Sequence, residues 1–335
     1  MEERKTDLNR RAEIWRLREA ARAALDVYGI EPASISLLAH FYHTTFKVTG
    51  SDKARYVLHI LRPEGGPITH EQSLKRVRSE LWWLDRLRED LGLEVPVVVR
   101  APDGEGVLSV RVEGMGVRRC TLFRWIEGRF LSKGLRPAHL EAVGRLTARL
   151  HEHSEGLVVP AEFDRPVVDG ADRETEERLA PVFSRFSVDA EKTMRGVMQR
   201  VREVQEDRGS GPAVFGLIHA DIHQKNYLFP GSELGLMDFG DCGWGHHLYD
   251  FAVTMSEIQS LPRYPGLRAA LLKGYRQVRE LSSADEARID VFFMLRRIQD
   301  LEWFLSERHN PSLRKLTAQV GERVRDVQRM LEAGA

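Results

Sequence analysis

The chain has 335 residues, 42% hydrophobic and 30% charged, the balance of an ordinary globular protein with enough length for two domains or one large two-lobed unit. Fifty Lys and Arg residues offset fifty Asp and Glu, so charge gives no reason to expect nucleic acid or an anionic membrane as the main partner. Cys120 and Cys242 form no CxxC or zinc-site spacing and read as reduced thiols, no apolar run is long enough to span a bilayer, and the charged N-terminus lacks the apolar centre of a secretion signal; the expected location is the cytoplasm.

In chain order, Thr6 to Tyr28 reads as an amphipathic helix, with Ile14, Leu17, Ala21, Ala24 and Leu25 on one face. "SISLLAH", "TFKVTG" and "RYVLHIL" follow as candidate strands, and their short polar breaks predict consecutive hairpins. A helix is expected from His70 to Glu89. "VPVVV" and "VLSVRVEG" read as strands split by the turn "APDGEG", and "CTLFRWIEG" completes another before the chain leaves through Gly128. Beyond that point Pro137–His151, Arg173–Val204 and most of the chain after Tyr249 look helical, and only residues 213–240 read as strand and hairpin. Two lobes joined near Arg124–Gly128 are the simplest organisation, with a first part over 1–125 and a second over 126–335.

The densest chemistry lies in "LIHADIHQKNYLF". "AVFGLI" reads as a strand ending at His219, "HADIHQK" as a loop, "NYLF" as the first arm of a hairpin, "PGSE" as its turn around Pro230 and Gly231, and "LGLMDFGD" as the returning arm. Pairing those arms sets Asn226 beside Asp238. An amide carbonyl next to a carboxylate offers hard oxygen ligands of the kind Mg2+ prefers, with water and phosphates completing its shell. Asp221 leads into the same corner, free to accept a proton or orient a hydroxyl, and Lys225 adds a nearby cation. These are the ingredients of phosphoryl transfer.

Here the sequence resembles a family. "HADIHQKN" fits the spacing H-x-D-x-x-x-x-N and "DFG" follows at Asp238–Gly240, as in the protein-kinase-like fold. His223 and the sequel "DFGDCGWGHHLYDFA" are similar to the aminoglycoside phosphotransferase and choline kinase group, and within it to the bacterial branch of homoserine kinases and stress-response kinases, over roughly residues 10–310. The resemblance implies an α+β, two-lobed protein-kinase-like fold: an N-terminal antiparallel sheet with one long helix and a mainly helical C-terminal lobe. It also implies a kinase that moves the γ-phosphate of ATP to a hydroxyl of a small molecule. Asp221 would be the base or orienting residue, Asn226 and Asp238 the Mg2+ ligands, His219 a structural residue of the loop, and Asp250 a bond to the loop's backbone. His223 and Lys225 stay open between phosphate contact and loop support.

The N-terminal part departs from the pattern. Leu74, Val77, Leu81, Leu84 and Leu87 form the apolar stripe of the long helix, which puts Glu80 on its buried side, where a carboxylate wants a cation. The usual lysine or arginine of the third strand is His59, with Arg62 or Lys47 as alternative sources of charge; Glu80 is expected to raise the His59 pKa. "AHFYHTTFKV" holds no glycine, and His43 stands where the group often has asparagine. "TLFRWIEG" resembles the segment joining the lobes, with Phe123, Trp125 and Ile126 as candidate adenine contacts. Asp300, Glu302 and Trp303 are candidates for the acceptor side by resemblance. A nucleotide-binding pseudokinase, a protein Ser/Thr kinase and a zinc hydrolase using the alternating His219, Asp221 and His223 with His246 and His247 are the rival readings.

Overall fold

The computed structural model describes residues 2–40, 43–62, 69–131, 134–184, 187–229 and 234–306, together with Arg325 and Arg329, and side chains from Arg11 onward. The hairpin turn expected around Pro230 and Gly231 and most of the helical stretch expected after Ser306 lie outside the described residues. The chain forms two compact units, residues 1–127 with 160–164, and residues 128–159 with 165–335.

The first unit begins with α1 (Glu2–Val27), followed by β1 (Pro32–His40), β2 (Thr44–Gly50), β3 (Arg55–Ile60), α2 (His70–Leu91), β4 (Val98–Val99), β5 (Val107–Val112) and β6 (Gly116–Arg124). The strands form one antiparallel sheet in the order β1-β2-β3-β6-β4, with β5 paired to β6. Alternation in β2 and β3 buries Phe46, Val48, Tyr56, Leu58 and Ile60 on one face, where they join Cys120 and Leu122 of β6. Leu17, Ala20, Ala21, Ala24 and Leu25 of α1 belong to that cluster, so the N-terminal helix closes one side of the sheet with the stripe read from its periodicity. Thr69 starts α2 by accepting the Gln72 N–H at 3.1 Å, and Gly92 ends it in a left-handed turn at φ +60°. Of the expected strand "VPVVV" only Val98–Val99 pairs, because Val97 and its neighbours run as a connection whose carbonyl receives the Arg124 N–H. Residues 160–164 complete this unit: the Asp164 N–H donates to Ser79 Oγ at 2.9 Å, and Phe163 meets Trp82 edge-on at 5.4 Å.

The second unit holds β7 (Arg129–Phe130), α3 (Pro137–Glu155), α4 (Arg173–Phe183), α5 (Val188–Arg208), β8 (Phe215–Ile218), β9 (Tyr227–Phe229), β10 (Gly235–Leu236), β11 (Gly243–His246), α6 (Leu248–Ile258), α7 (Tyr264–Arg276) and α8 (Ser283–Ser306). The helical stretch expected over Arg173–Val204 is two helices, because Ser187 caps a new start by accepting the Ala190 N–H at 3.2 Å. Helices α3 and α7 approach closely through a pair of glycines. A Cβ on Gly144 would stand 2.0 Å from the Leu271 carbonyl oxygen, and one on Gly274 would stand 2.0 Å from that of Glu141. Helix α6 is buried almost along its whole length and packs against α8. Short strand pairs bracket the loop between Ile218 and Tyr227: β8 runs antiparallel to β11, and β9 lies between β10 and β7. Among the described residues, no helix is long and apolar enough to cross a membrane.

Candidate active site

The loop after β8 turns on a strained residue. Ala220 has φ +65°, a left-handed conformation that costs a non-glycine residue on the order of 1 kcal/mol or more and persists only when its surroundings hold it. Asp250, fully buried in the first turn of α6, does the holding. Its carboxylate accepts the Ala220 N–H at 2.7 Å and the His219 N–H at 3.3 Å. His151 Nε2 stands 3.1 Å away from the same carboxylate, and His151 Nδ1 is 3.0 Å from the Tyr275 hydroxyl. Burial pushes Asp250 up to about 6, with His219 and the two backbone bonds opposing.

His219 itself is enclosed. Its Nδ1 accepts the Asp221 N–H at 3.1 Å, its Nε2 bonds the Met237 carbonyl at 3.1 Å, and its ring packs against Phe239. Burial lowers its pKa, so it is the neutral, Nε2-protonated ring that ties the loop to the returning strand.

Asp221 is the most heavily bonded side chain of the loop. Oδ2 accepts Asn226 Nδ2 at 3.0 Å and lies 3.1 Å from His223 Nε2, while Oδ1 accepts Arg296 Nη2 at 3.2 Å. Burial disfavours its charge, but the hydrogen bond and charge of His223, together with Arg296, outweigh this and hold the carboxyl well below the usual range. His223 moves the other way: burial opposes its charge, yet the Asp221 bond and charge and nearby Glu257 raise its pKa. The Lys225 N–H donates to His223 Nδ1 at 3.2 Å, and the Lys225 side chain is exposed.

The hairpin of β9 and β10 sets Tyr227 opposite Leu236, and the Asn226 carbonyl accepts the Met237 N–H at 3.0 Å. Asn226 therefore stands one residue from Asp238 across the ladder. Its Nδ2 bonds both the carbonyl and Oδ2 of Asp221, which leaves the amide oxygen as its ligand atom. Asp238 is also left-handed, at φ +63°. Asp238 and Asp241 have open surfaces but dense protein surroundings. That partial desolvation, then the charges of Asp241 and Asp221, push Asp238 up to about 6, and Asp241 is raised for related reasons. A divalent cation near Asn226 and Asp238 would relieve this repulsion, so the donor set fits a hard ion with phosphate and water as further ligands. Among the described residues, no three His, Cys, Asp or Glu side chains are placed to share one metal ion. The histidines of the zinc reading are engaged elsewhere. His246 Nδ1 bonds Asp169 at 2.7 Å and its Nε2 the Gly209 carbonyl at 3.1 Å, and His247 stacks on His151.

Some side chains here are not signalled by any motif. Arg165 donates to the Cys242 and Gly240 carbonyls and braces the segment after Asp238. Arg296 is another, and the only pattern that points to it is its helical spacing from Asp300. On α8, Asp300 Oδ1 lies 3.1 Å from Arg296 Nε, and Glu302 pairs with Arg178. Trp303 is 41% exposed and meets Phe304 edge-on.

In the first unit, cross-strand registers put Thr45, His59 and Thr121 in one row and Lys47, Val57 and Phe123 in the next, all on the sheet face opposite α1. His59 meets the Phe123 ring edge-on at 5.3 Å, and Lys47 Nζ lies 4.6 Å over the Trp125 ring. The expectation that Glu80 keeps His59 protonated is reversed: burial lowers His59 to about 4, and it is neutral near pH 7. Glu80, Trp125 and Ile126 are half-buried. His43 accepts the Arg62 N–H at 3.0 Å, and burial, then His59 and Arg62, push its pKa down to about 3.

Comparison with known proteins bears on the family and the fold. The family model described as "Phosphotransferase enzyme family" matches residues 34–288. A homoserine kinase of Agrobacterium fabrum is 28% identical over 271 residues, covering 77% of each chain. The solved structure of a microcompartment-associated aminopropanol kinase superposes with a TM-score of 0.75 at 30% identity, covering 93% of this chain and 97% of that one. A spectinomycin phosphotransferase, solved with ADP and spectinomycin, shares the fold at a TM-score of 0.65 and 13% identity, covering 92% of this chain and 96% of its own. With a two-lobed α+β architecture of the protein-kinase-like type and a family match over most of its length, the chain belongs to the phosphotransferase enzyme family.

Proposed function

We propose that this phosphotransferase moves the γ-phosphate of ATP to the hydroxyl of a small amine-bearing alcohol. The observation that carries the reading is the bond between Asn226 Nδ2 and Asp221, made at the point where the hairpin turns Asp238 back beside Asn226. Asp221 meets the acceptor hydroxyl. Its depressed pKa suits orientation of the hydroxyl and late acceptance of its proton, which is what a loose phosphoryl-transfer transition state asks of a carboxylate. Asn226 and Asp238 hold Mg2+, which neutralises the nucleotide phosphates when bound. Asp250 and His219 keep the loop in shape, and Lys225 is the exposed cation available to phosphate. In the first unit Phe123, Trp125 and Ile126 meet adenine, and His59 offers a neutral N–H to phosphate.

The acceptor class is supported by the relatives, because homoserine and aminopropanol each carry a hydroxyl and an amine. Nucleotide use is supported by neighbours solved with ADP and with AMP-PNP and Ca2+. The neutral His59 favours a second reading, a nucleotide-binding pseudokinase. An ATP-consumption screen over amino alcohols and hydroxy amino acids separates the two, since acceptor-dependent ADP release excludes the pseudokinase. Asp221→Asn should then lower turnover by about 10²–10⁴-fold while leaving AMP-PNP affinity unchanged. Full turnover in that variant removes Asp221 from the chemistry.

A further inference from the structure

We infer that Arg296, on α8, is the positioning residue that decides which oxygen of Asp221 meets the acceptor, and that Asp300 acts on the reaction through Arg296 rather than by touching the substrate. The inference rests on the proposed role of Asp221. A carboxylate oxygen offers two lone-pair directions. Oδ2 of Asp221 has both directions filled, by Asn226 Nδ2 at 3.0 Å and by His223 Nε2 at 3.1 Å. Oδ1 takes Arg296 alone among the described residues, at 3.2 Å, and keeps one direction for a hydroxyl. Remove the guanidinium and that oxygen loses its anchor, so the carboxylate plane is free to turn about χ2.

Arg296 is itself fixed. Its Nη1 reaches the carbonyl of the left-handed Ala220 at 3.4 Å, and its Nε lies 3.1 Å from Asp300 Oδ1, one helical turn along α8. The other oxygen of Asp300 is 3.6 Å from Arg297 Nη1, and Arg297 Nη2 donates to the Ser256 carbonyl at 2.8 Å. Asp300 is thus clasped between two arginines, a poor counter-ion for a substrate amine and a good brace for Arg296. The order of dependence runs from Arg297 through Asp300 and Arg296 to Asp221.

The test uses the full chain and follows ATP hydrolysis without acceptor, water standing in for the hydroxyl. Arg296→Met should slow hydrolysis by about tenfold to a hundredfold, the range for a misplaced catalytic group, while the AMP-PNP dissociation constant stays unchanged. Arg296→Lys should fall between this variant and the wild type. Asp300→Asn should slow the wild-type chain several-fold and add nothing to Arg296→Met, because both changes act through one link. A crystal structure of Arg296→Met should show the Asp221 carboxylate turned from its present plane. Equal losses from Asp300→Asn in both backgrounds, an unmoved carboxylate, or nucleotide affinity falling in step with the rate would overturn the inference. Asp221→Asn separates the two levels. If it hydrolyses ATP at the normal rate, the role of Asp221 falls. If it is inactive while Arg296→Met hydrolyses ATP at the wild-type rate, only the role of Arg296 falls.

Discussion

The loop around Asp221 and the sheet face around His59 hold their polar groups in opposite ways. In the loop, backbone and side chains are cross-bonded: His219 spans to Met237, Asp250 pins two N–H groups, and Asp221 is bonded through both oxygens. On the sheet face, the chemistry-bearing side chains rest on aromatic rings, His59 against Phe123 and Lys47 over Trp125. The first arrangement fixes positions to a fraction of an ångström, because each bond restricts the next. The second fixes only a direction, and cation–π contact at a half-exposed site is worth about 1 kcal/mol. One region is built for a single geometry, whereas the other has latitude to accept a different residue.

The sharpest way to break this contrast is at its most rigid point. Asp250→Ala removes the acceptor for the N–H groups of His219 and Ala220 and the partner of His151. Each buried donor left without a partner costs about 1–3 kcal/mol, so we expect the largest loss of melting temperature of any variant considered and no measurable turnover. Asp250→Asn, which keeps one oxygen, should recover part of the stability. Thermal melting by calorimetry checks both, and a melting temperature within a degree of wild type for Asp250→Ala would show that the loop is held by other means.

The sheet face should respond in the other direction. His59 is neutral near pH 7 and lies in the row of Thr45 and Thr121, at the position proposed above to meet phosphate. His59→Lys is expected to tighten ATP binding by about tenfold, equivalent to ~1.4 kcal/mol, with little change in melting temperature. Isothermal calorimetry with AMP-PNP measures it. Unchanged affinity would show that the cation for phosphate comes from elsewhere, with Lys47 and Arg62 the next residues to exchange.

The same contrast explains what the sequence makes legible. The spacing of His219, Asp221 and Asn226, and the hairpin that returns at Asp238, are dictated by neighbours along the chain, so local pattern reaches them. The α1 stripe and the alternating strands are legible for the same reason, since burial repeats with the period of the element. Arg296 and Arg165 escape, because each reaches the loop from a distant segment and no local rule marks one arginine among so many. The charge state of His59 escapes too: an expected neighbour, Glu80, argues for protonation, but burial of the ring decides it. Likewise the break between α4 and α5 hides in a helical composition and shows only in the Ser187 cap.

The smallest expected effect is a pH dependence of stability shared by both regions. Burial lowers the pKa of His43 and His59 in the first unit and of His151, His219 and His247 in the second. A group with a depressed folded pKa contributes stability above its unfolded value, near 6.5 for histidine, and loses it as pH falls toward the folded value, about 4 for His59. Asp238 and Asp250 act oppositely, because their folded pKa is raised to about 6. Their share is present below the unfolded carboxylate value and is lost as pH rises through 6. Between pH 7 and 6, then, these five histidines take up protons preferentially in the unfolded chain, His223 and the two aspartates take them up in the folded one, and because the five outnumber the three, stability falls toward acid. The two aspartates bind protons in the folded chain over the same range, each about half protonated by pH 6, and so offset part of the fall without reversing it. In metal-free buffer the melting temperature should therefore drop from pH 7 to 6 and keep dropping, no less steeply, between 6 and 4. His59→Gln should remove one histidine's part of that slope, at most ~1.4 kcal/mol per pH unit. A wild-type curve flat from 7 to 5, or one unaltered by His59→Gln, would mean that the ring on the sheet face is as free to take a proton in the folded chain as in the unfolded one.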